Sequence, residues 1–192
     1  MRNAEATREK ILKAAVVEFS ARGISGARVD RIARNAGCNK NLIYIYFGSK
    51  EKLFSTTLEK TLTPVYREMN FTPEDLPGFA ARVFDFAMAN PQMMRLMAWL
   101  SLEGKPDRLP ERTRIRNERI SHLRNAQKNG RVNATFPPGF LFAATLALAT
   151  TWSSASPFGA SLDPESTRRP GVLRSKIAEA IGLLSGLKTP SR

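Results

Sequence analysis

A short segment interrupted by one glycine constrains the fold of this chain more than any other feature. The residues from Val29 to Leu53 predict two short helices joined by a tight turn, then the start of a third helix. Gly37 follows the last apolar turn of the first helix, where the backbone needs a positive φ and a Cβ atom would be strained. Ala33 is small where the two helices would cross, and Ile43 can pack against Ile32 and Ala33. This spacing is that of a helix-turn-helix, whose second helix lies in the major groove of DNA.

Composition favours an anionic partner without identifying it. The chain has 192 residues, a formal net charge of +13 and a sequence pI near 10.6. Nucleic acid is the commonest partner of so basic a chain, but a membrane surface or an acidic ligand would suit the same charge. The single cysteine, Cys38, excludes an internal disulfide and suits a reducing cytoplasm, where we expect the protein to be located. The most apolar run, 140–152, is short and interrupted by threonines, so we expect no membrane span.

Helical periodicity dominates the chain, so an all-α fold is predicted. The first helix is expected at about 4–22, ended by Gly23, and Asn39 and Ser49 are expected to cap the two helices that follow them. The remaining helices are predicted to begin near Phe79, Pro91, Pro110, Pro138 and Leu173, with a loop at 153–170. We expect a small N-terminal domain at 1–47 and a larger helical domain at 48–192, joined by the helix after Ser49.

One motif identifies a family. The run Ile-Tyr-Ile-Tyr-Phe-Gly-Ser-Lys-Glu-Lys-Leu at 43–53, after Ala-Gly-Cys-Asn-Lys at 36–40, resembles the tetracycline-repressor (TetR) family of bacterial transcription regulators. The resemblance implies that 1–47 is the DNA-binding domain and 48–192 the effector-binding and dimerisation domain. It further implies a homodimer that binds double-stranded operator DNA and releases it when a small-molecule effector binds, with no cofactor and no metal.

Five residues depart from the family pattern, and one of them, Asn39, stands where serine is common and caps a helix equally well. Ala27 and Arg28 stand where a threonine usually caps the first helix of the pair, Asn41 replaces a glycine, and Ile45 stands where histidine is frequent. These changes concern the preferred DNA sequence and one phosphate contact, and they leave the expected mode of binding unchanged.

Polar side chains near the start of a recognition helix read base edges in the major groove. Lys40 and Asn41 are placed to do so, since lysine can donate to guanine and asparagine can pair with adenine. Leu42 can contact a thymine methyl group.

Other side chains of the same segment are expected to hold phosphates or to pack. Arg28, Tyr44 and Lys50 are the predicted phosphate ligands, and Lys50 also lies beside a helix N-terminus. Tyr46 and Phe47 are expected to pack in the small domain, as is Cys38, which has no second cysteine with which to form a redox switch.

A helix-turn-helix monomer contacts too little DNA for selective binding, so a twofold dimer on a near-palindromic operator is expected. The predicted interface is an apolar stripe on the last helix, formed by Leu173, Ile177, Ile181 and Leu184. The alternative is that this stripe belongs to the ordinary core.

A cavity for the effector is expected between the central helices. Its candidate lining consists of methionine, aromatic and histidine side chains: Phe84, Met93, Met94, Met97, Trp99, His122 and Trp152. The alternative is that they are core residues, with His122 on the surface. The arginine run at 108–124 is expected to be a solvated face, interspersed with glutamates.

Three other classes of protein are alternatives to a ligand-responsive repressor. An enzyme is disfavoured because the sequence has no nucleophile motif, no glycine-rich phosphate loop and no zinc-binding motif. An architectural DNA-binding protein without a ligand switch is the main alternative. A membrane-surface protein that uses its basic charge is the third class.

Overall fold

The computed structural model describes residues 2–103 and 110–188, and the side chains from residue 4 onward within those ranges. Regular structure in these ranges is helical and includes no strand, which confirms the predicted all-α fold. A 3₁₀ turn lies at Pro73–Asp75, and the other helices are α-helices. They are α1 (Arg2–Gly26), α2 (Val29–Ala36), α3 (Lys40–Phe47), α4 (Lys50–Glu68), α5 (Leu76–Ala89), α6 (Pro91–Leu102), α7 (Pro110–Lys128), α8 (Pro138–Thr150), α9 (Gly159–Leu162), α10 (Pro164–Thr167) and α11 (Pro170–Ser185).

The chain divides into two compact units. Unit 1 lies within Met1–Val65 and Gln92–Pro110, and unit 2 lies within Tyr66–Pro91 and Glu111–Arg192. The boundary therefore falls inside α4. The division predicted from the sequence, at 47/48, assigns DNA binding and effector binding to different parts of the chain, and it stays a prediction.

Unit 1 has a core formed by α1 to α4. Phe19 of α1 and Phe54 of α4 meet edge to face with ring centroids 5.0 Å apart, and both are fully buried. In the same unit, the Trp99 indole of α6 donates to the Ser20 carbonyl oxygen at 3.3 Å. Gly23 interrupts α1 with φ 64° and ψ −175°, and a Cβ atom there would lie 2.7 Å from the Trp99 ring.

The break at Gly23 differs in part from the sequence prediction. Gly23 was expected to end the first helix, but helical turns continue to Gly26 beyond the kink. The predicted loop at 153–170 likewise contains two one-turn helices, α9 and α10. Both α9 and α10 lie within a segment rich in small and polar residues, and each has only four residues, which is too short for helical periodicity to appear.

Unit 2 is built around α5, which packs against α8 and α11. Phe79 of α5 stacks on Phe142 of α8 with centroids 6.1 Å apart, and Phe71 meets both rings edge-on. The core continues through Phe84, Leu123 and the inner side of α11.

The stripe on α11 corrects one sequence prediction. Leu173, Ile177 and Ile181 were expected to contact a second copy of the chain, but they are 6%, 2% and 0% exposed within the core of unit 2. Leu184 is half-buried against the same core. Side chains already covered by their own chain cannot form an interface, so the core alternative is correct for this stripe.

The residues of the predicted effector lining are distributed over both units, and their grouping around one cavity stays a prediction. Phe84 lies in the core of unit 2. Trp99, Met93 and Met97 belong to α6 in unit 1, where Trp99 packs against α1. In unit 2, exposed His122 and half-buried Trp152 line two different clefts.

The arginine-rich run of α7 is only in part the solvated face that the sequence predicts. Arg119 is half-buried: its guanidinium lies over the Phe71 and Phe79 rings and donates to the Tyr66 and Met69 carbonyl oxygens. Exposed members of the run form ion pairs with the interspersed glutamates. Arg114 contacts Glu111 at 2.7 Å and Glu118 at 2.5 Å, and Arg67 also reaches Glu111 at 2.9 Å. The two guanidinium groups lower the pKa of Glu111 to about 2. Arg108 of this run lies outside the described residues.

Within 2–103 and 110–188, none of the helices combines the length and the apolar character needed to cross a bilayer.

Candidate nucleic-acid interface

The turn between α2 and α3 has the geometry that the sequence predicts. Gly37 has φ 65° and ψ 38°, and its amide donates to the Arg34 carbonyl oxygen at 3.1 Å. The Cys38 amide donates to the Ala33 carbonyl oxygen at 3.0 Å. These two bonds form a Schellman motif, which satisfies the last carbonyl groups of α2 and reverses the chain.

The recognition-helix candidate α3 begins and ends at defined residues. The Asn39 side chain caps it by accepting from the Asn41 amide at 2.8 Å. Gly48, at φ 76°, ends it and donates to the Tyr44 carbonyl oxygen. The Ser49 hydroxyl then accepts from the Lys52 amide at 3.1 Å, so both predicted caps are confirmed.

Packing decides which side of α3 is presented to solvent. Ile43 and Phe47 are buried in unit 1, and the Arg8 guanidinium lies over the Phe47 ring at 5.5 Å. On the opposite side, Asn41, Tyr44 and Ile45 share one exposed face at i, i+3 and i+4 spacing. Packing was expected for Phe47, and the structure confirms it.

A buried carboxylate on α1 positions the start of α2. Glu18 is 5% exposed and accepts from the Arg31 guanidinium, with Nη2 at 2.6 Å and Nε at 2.9 Å, and from the Arg28 amide at 2.9 Å. Burial alone would raise the pKa of Glu18, but the hydrogen bonds from Arg31 and Arg28 outweigh it and lower the pKa below its usual value. Glu18 therefore stays ionised and holds α1 against the helix-turn-helix.

Glu18 was not among the site residues predicted from the sequence. The available signal was a carboxylate on the apolar stripe of α1, four residues after Ala14 and beside Phe19. A charge on a buried stripe needs a partner, which local periodicity does not name.

The predicted base-reading residues lie in three different environments. Lys40 forms an exposed ion pair with Asp30, with Nζ 2.9 Å from Oδ1. Hydrogen bonding to Asp30 raises the pKa of Lys40, so the lysine is charged. Asn41 is exposed, whereas Leu42 is half-buried. Ile45, with 72% of its surface exposed, is thus better placed than Leu42 to meet a thymine methyl group.

The predicted phosphate ligands lie at the helix starts and on the open face of α3. Arg28 is exposed at the N-cap of α2, and Tyr44 is 43% exposed. Lys50 is half-buried, and its Nζ donates to the Ala27 carbonyl oxygen at 3.3 Å. The Lys50 ammonium group thus lies close to the backbone just before Arg28.

Cys38 in the turn is half-buried, and burial raises the pKa of its thiol. A protonated thiol is a weak nucleophile, which suits a packing residue.

Known proteins share both parts of this architecture. Residues 11–56 match the family described as bacterial regulatory proteins, tetR family, and residues 75–182 match the tetracyclin repressor-like C-terminal domain. The chain is 38% identical over 145 residues to the HTH-type transcriptional repressor SCO4008 of Streptomyces coelicolor, covering 73% of this chain and 76% of that protein.

Two solved structures show the same fold. The putative transcriptional regulator SCO4942 from Streptomyces coelicolor superposes with a TM-score of 0.82 at 33% identity, over 96% of this chain and 99% of that one. The SmeT–triclosan complex superposes with a TM-score of 0.63 at 21% identity, over 91% and 90% of the two chains. The family match over most of the chain and the identity to SCO4008 lead to one conclusion: this chain belongs to the TetR family of DNA-binding transcriptional regulators and is not an enzyme.

Proposed function

We propose that the protein is a homodimeric repressor that binds a near-palindromic operator and releases it when a small molecule binds. The observation that carries the DNA-binding part is the open face of α3. Its polar and apolar side chains project from a helix whose two ends are capped and whose other side is buried. The name of the relative SCO4008 supports the repressor role.

Readout of DNA bases falls to the face formed by Asn41, Tyr44 and Ile45, together with Lys40. Asn41 offers an amide for adenine and Ile45 an apolar surface for a thymine methyl, while Lys40 reaches guanine by leaving Asp30. An exposed ion pair such as Lys40–Asp30 contributes little to stability, so its exchange for a base contact is energetically accessible. Arg28, Tyr44 and Lys50 hold the flanking phosphates and set the register.

The interface between two copies is proposed on the outer side of α8 and α11. Helix α8 has no charged residue and is apolar all round, as is typical of a helix covered on every side. Phe140 is nevertheless 55% exposed, and Leu183 of α11 is 81% exposed. Helices α8 and α11 are in contact, and the segment before α8 reaches the end of α11, where the Asn133 amide donates to the Ser185 carbonyl oxygen. A second copy would cover this apolar surface.

Release by an effector requires a ligand that binds the released form more tightly than the DNA-bound form. SmeT, which shares this fold, was solved with triclosan, and this supports a binding site for small apolar molecules. We propose that the effector tilts α4, which begins at Lys50 beside the DNA-facing residues and continues to Glu68. The two α3 helices of the dimer would then separate.

The proposal is tested by selecting bound duplexes from random DNA with the full-length protein. We expect a near-palindrome with half-sites about one helical turn apart, and a dimer by light scattering. The double variant Phe140→Ser/Leu183→Ser should be monomeric and should lose selective binding. Recovery of unrelated sequences without symmetry would contradict the operator model. If a palindrome is bound but no compound of an apolar library weakens binding, the protein is an architectural DNA-binding protein.

A further inference from the structure

A cleft at the C-terminal end of α8 has features that packing alone does not explain. It has a volume of about 550 Å³, within the range of small-molecule sites. Its lining includes residues from the loop after α8, from α10 and from the start of α11: Trp152, Asp163, Ser166, Arg169, Val172 and Leu173. We call it the Trp152 cleft.

The apolar wall of the Trp152 cleft is held in place by the structure around it. Trp152 packs against the core of unit 2, and Leu173 is 6% exposed. The Gly159 amide donates to the Thr151 carbonyl oxygen at 3.1 Å. A Cβ atom at Gly159 would lie 2.8 Å from the Cα of Trp152, so only glycine allows this close approach. Gly159 thus allows the start of α9 to pack closely against the backbone that carries the indole.

Most polar groups around the cleft are paired within unit 2. Asp163 accepts from the amide and the hydroxyl of Ser166. Glu165 pairs with Arg168 at 2.7 Å, and Lys176 pairs with Glu179 at 2.8 Å. These groups have no strong need of a further partner.

Two donors of the cleft lining lack such partners. The Trp152 Nε1 atom is buried and has no acceptor among the described residues. The Arg169 guanidinium forms no hydrogen bond or ion pair within the described ranges. The buried indole N–H is unfavourable without an acceptor, whereas Arg169 is exposed and places a positive charge beside the apolar wall. The cleft therefore suits a ligand that joins an apolar body to a negative charge.

We propose that the Trp152 cleft binds a planar apolar carboxylate and that this ligand is the effector; the second half rests on the function proposed above. The ring of the ligand lies against Trp152, Val172 and Leu173. Its carboxylate pairs with Arg169, since a planar guanidinium matches a carboxylate. The site has both halves of a small-molecule pocket, an apolar wall and a few polar groups that orient the ligand.

Calorimetry with the full-length protein tests the ligand chemistry. The probes are 2-naphthoate and its neutral analogue 2-naphthamide. We expect naphthoate to bind about tenfold more tightly than naphthamide, because a charge-assisted hydrogen bond is stronger than a neutral one. Arg169→Gln should abolish this preference, whereas Arg116→Gln on α7 makes the same charge change outside the cleft and should preserve it. Equal affinity for the two probes, no binding of naphthoate at millimolar concentration, or an unchanged preference in Arg169→Gln would overturn the proposal.

The indole signals provide a readout at the site itself. The chain has two tryptophans, and Trp99 already donates to Ser20, so its indole proton serves as an internal reference. Naphthoate should move the Trp152 indole resonance in a ¹H–¹⁵N spectrum and leave the Trp99 resonance in place; Trp152→Phe assigns the signals. A Trp152 signal that does not respond while calorimetry shows binding would place the ligand elsewhere and refute the site.

A third measurement separates this inference from the repressor model. Naphthoate should weaken binding of the selected operator by the wild-type protein and not by Arg169→Gln. If naphthoate occupies the cleft and operator binding is unchanged, the cleft is a ligand site but the effector assignment is wrong. If the protein binds no operator at all, the repressor model fails while the ligand site stands.

Discussion

Glu18 and Arg31 join α1 to α2 through a charged contact in which the carboxylate is almost fully buried: the guanidinium Nη2 lies 2.6 Å from Glu18 Oε1, and the side chains are 6% and 31% exposed. The same carboxylate oxygen accepts from the Arg28 amide, at the first turn of α2. One side chain outside the helix-turn-helix therefore positions the start of α2 against α1.

Replacing this carboxylate should destabilise the protein. Glu18→Gln keeps the shape but loses the charge-assisted bonds to Arg31, so we expect the free energy of unfolding to fall by about 2 kcal/mol. Glu9→Gln, on the exposed side of α1, makes the same charge change and should cost less than about 0.5 kcal/mol. Urea denaturation of the two variants measures both values. Equal losses of stability in the two variants would show that the buried Glu18 carboxylate contributes no more than the exposed Glu9 carboxylate.

The same pair predicts a dependence of stability on pH. The folded-state pKa of Glu18 lies below its usual value of 4.5, so the unfolded chain takes up the proton first as the pH falls. The contribution of Glu18 is complete above about pH 4.5 and is lost as the pH drops through the lower, folded-state pKa. Denaturation curves between pH 7 and 3 should show a smaller decline for Glu18→Gln than for the wild type. Parallel declines would contradict this assignment.

Gly23 and Gly37 share a positive φ but differ in their surroundings. A Cβ atom at Gly23 would meet the Trp99 ring at 2.7 Å, whereas nothing lies within 4 Å of one at Gly37. Gly37→Ala should cost about 1 kcal/mol for the backbone alone. Gly23→Ala should cost about 2–4 kcal/mol, because the backbone at φ 64° and ψ −175° is essentially restricted to glycine and because a rigid ring must also move. Thermal and urea unfolding of both variants test the difference, and equal costs would mean that neither the Gly23 backbone nor the Trp99 contact adds to the cost of a Cβ atom.

The ion pair between Asp30 and Lys40 should restrain DNA binding. Asp30→Asn removes a negative charge beside the DNA-facing surface and frees Lys40, so we expect affinity to rise several-fold and the salt slope to steepen by about 1. Fluorescence anisotropy over a range of salt concentrations measures both effects. Asp85→Asn, which breaks an exposed pair with Arg174 on α11, adds the same net charge and is the control. An equal gain in DNA affinity in Asp85→Asn would show that the change in net charge, and not the release of Lys40, causes the effect.

Two residues should separate base readout from phosphate binding. Asn41→Ala should reduce the preference for the best operator over a one-base mismatch by about tenfold, because a bidentate amide contact to adenine is lost. Lys50→Ala should weaken all duplexes alike and reduce the salt slope by about 1. Competition binding with matched and mismatched duplexes distinguishes the two effects, and a uniform loss in Asn41→Ala would remove it from the base-reading set.

Local chemistry was sufficient to predict the turn at Gly37, the helix caps and several helix starts. The positive φ at Gly37, the caps at Asn39 and Ser49 and the helix starts at Pro91, Pro110 and Pro138 depend on a few neighbouring residues. Backbone sterics and hydrogen bonds within one turn decide such features, so they can be predicted from sequence.

Tertiary structure alone decided what each apolar or charged stripe faces. Periodicity showed that Leu173, Ile177 and Ile181 share one side of a helix, but not that this side covers its own core while Leu183 stays exposed. Likewise, no local pattern brings Trp99 against Gly23. An apolar stripe shows that one side of a helix must be buried. Which surface covers that side depends on how segments distant in sequence pack together.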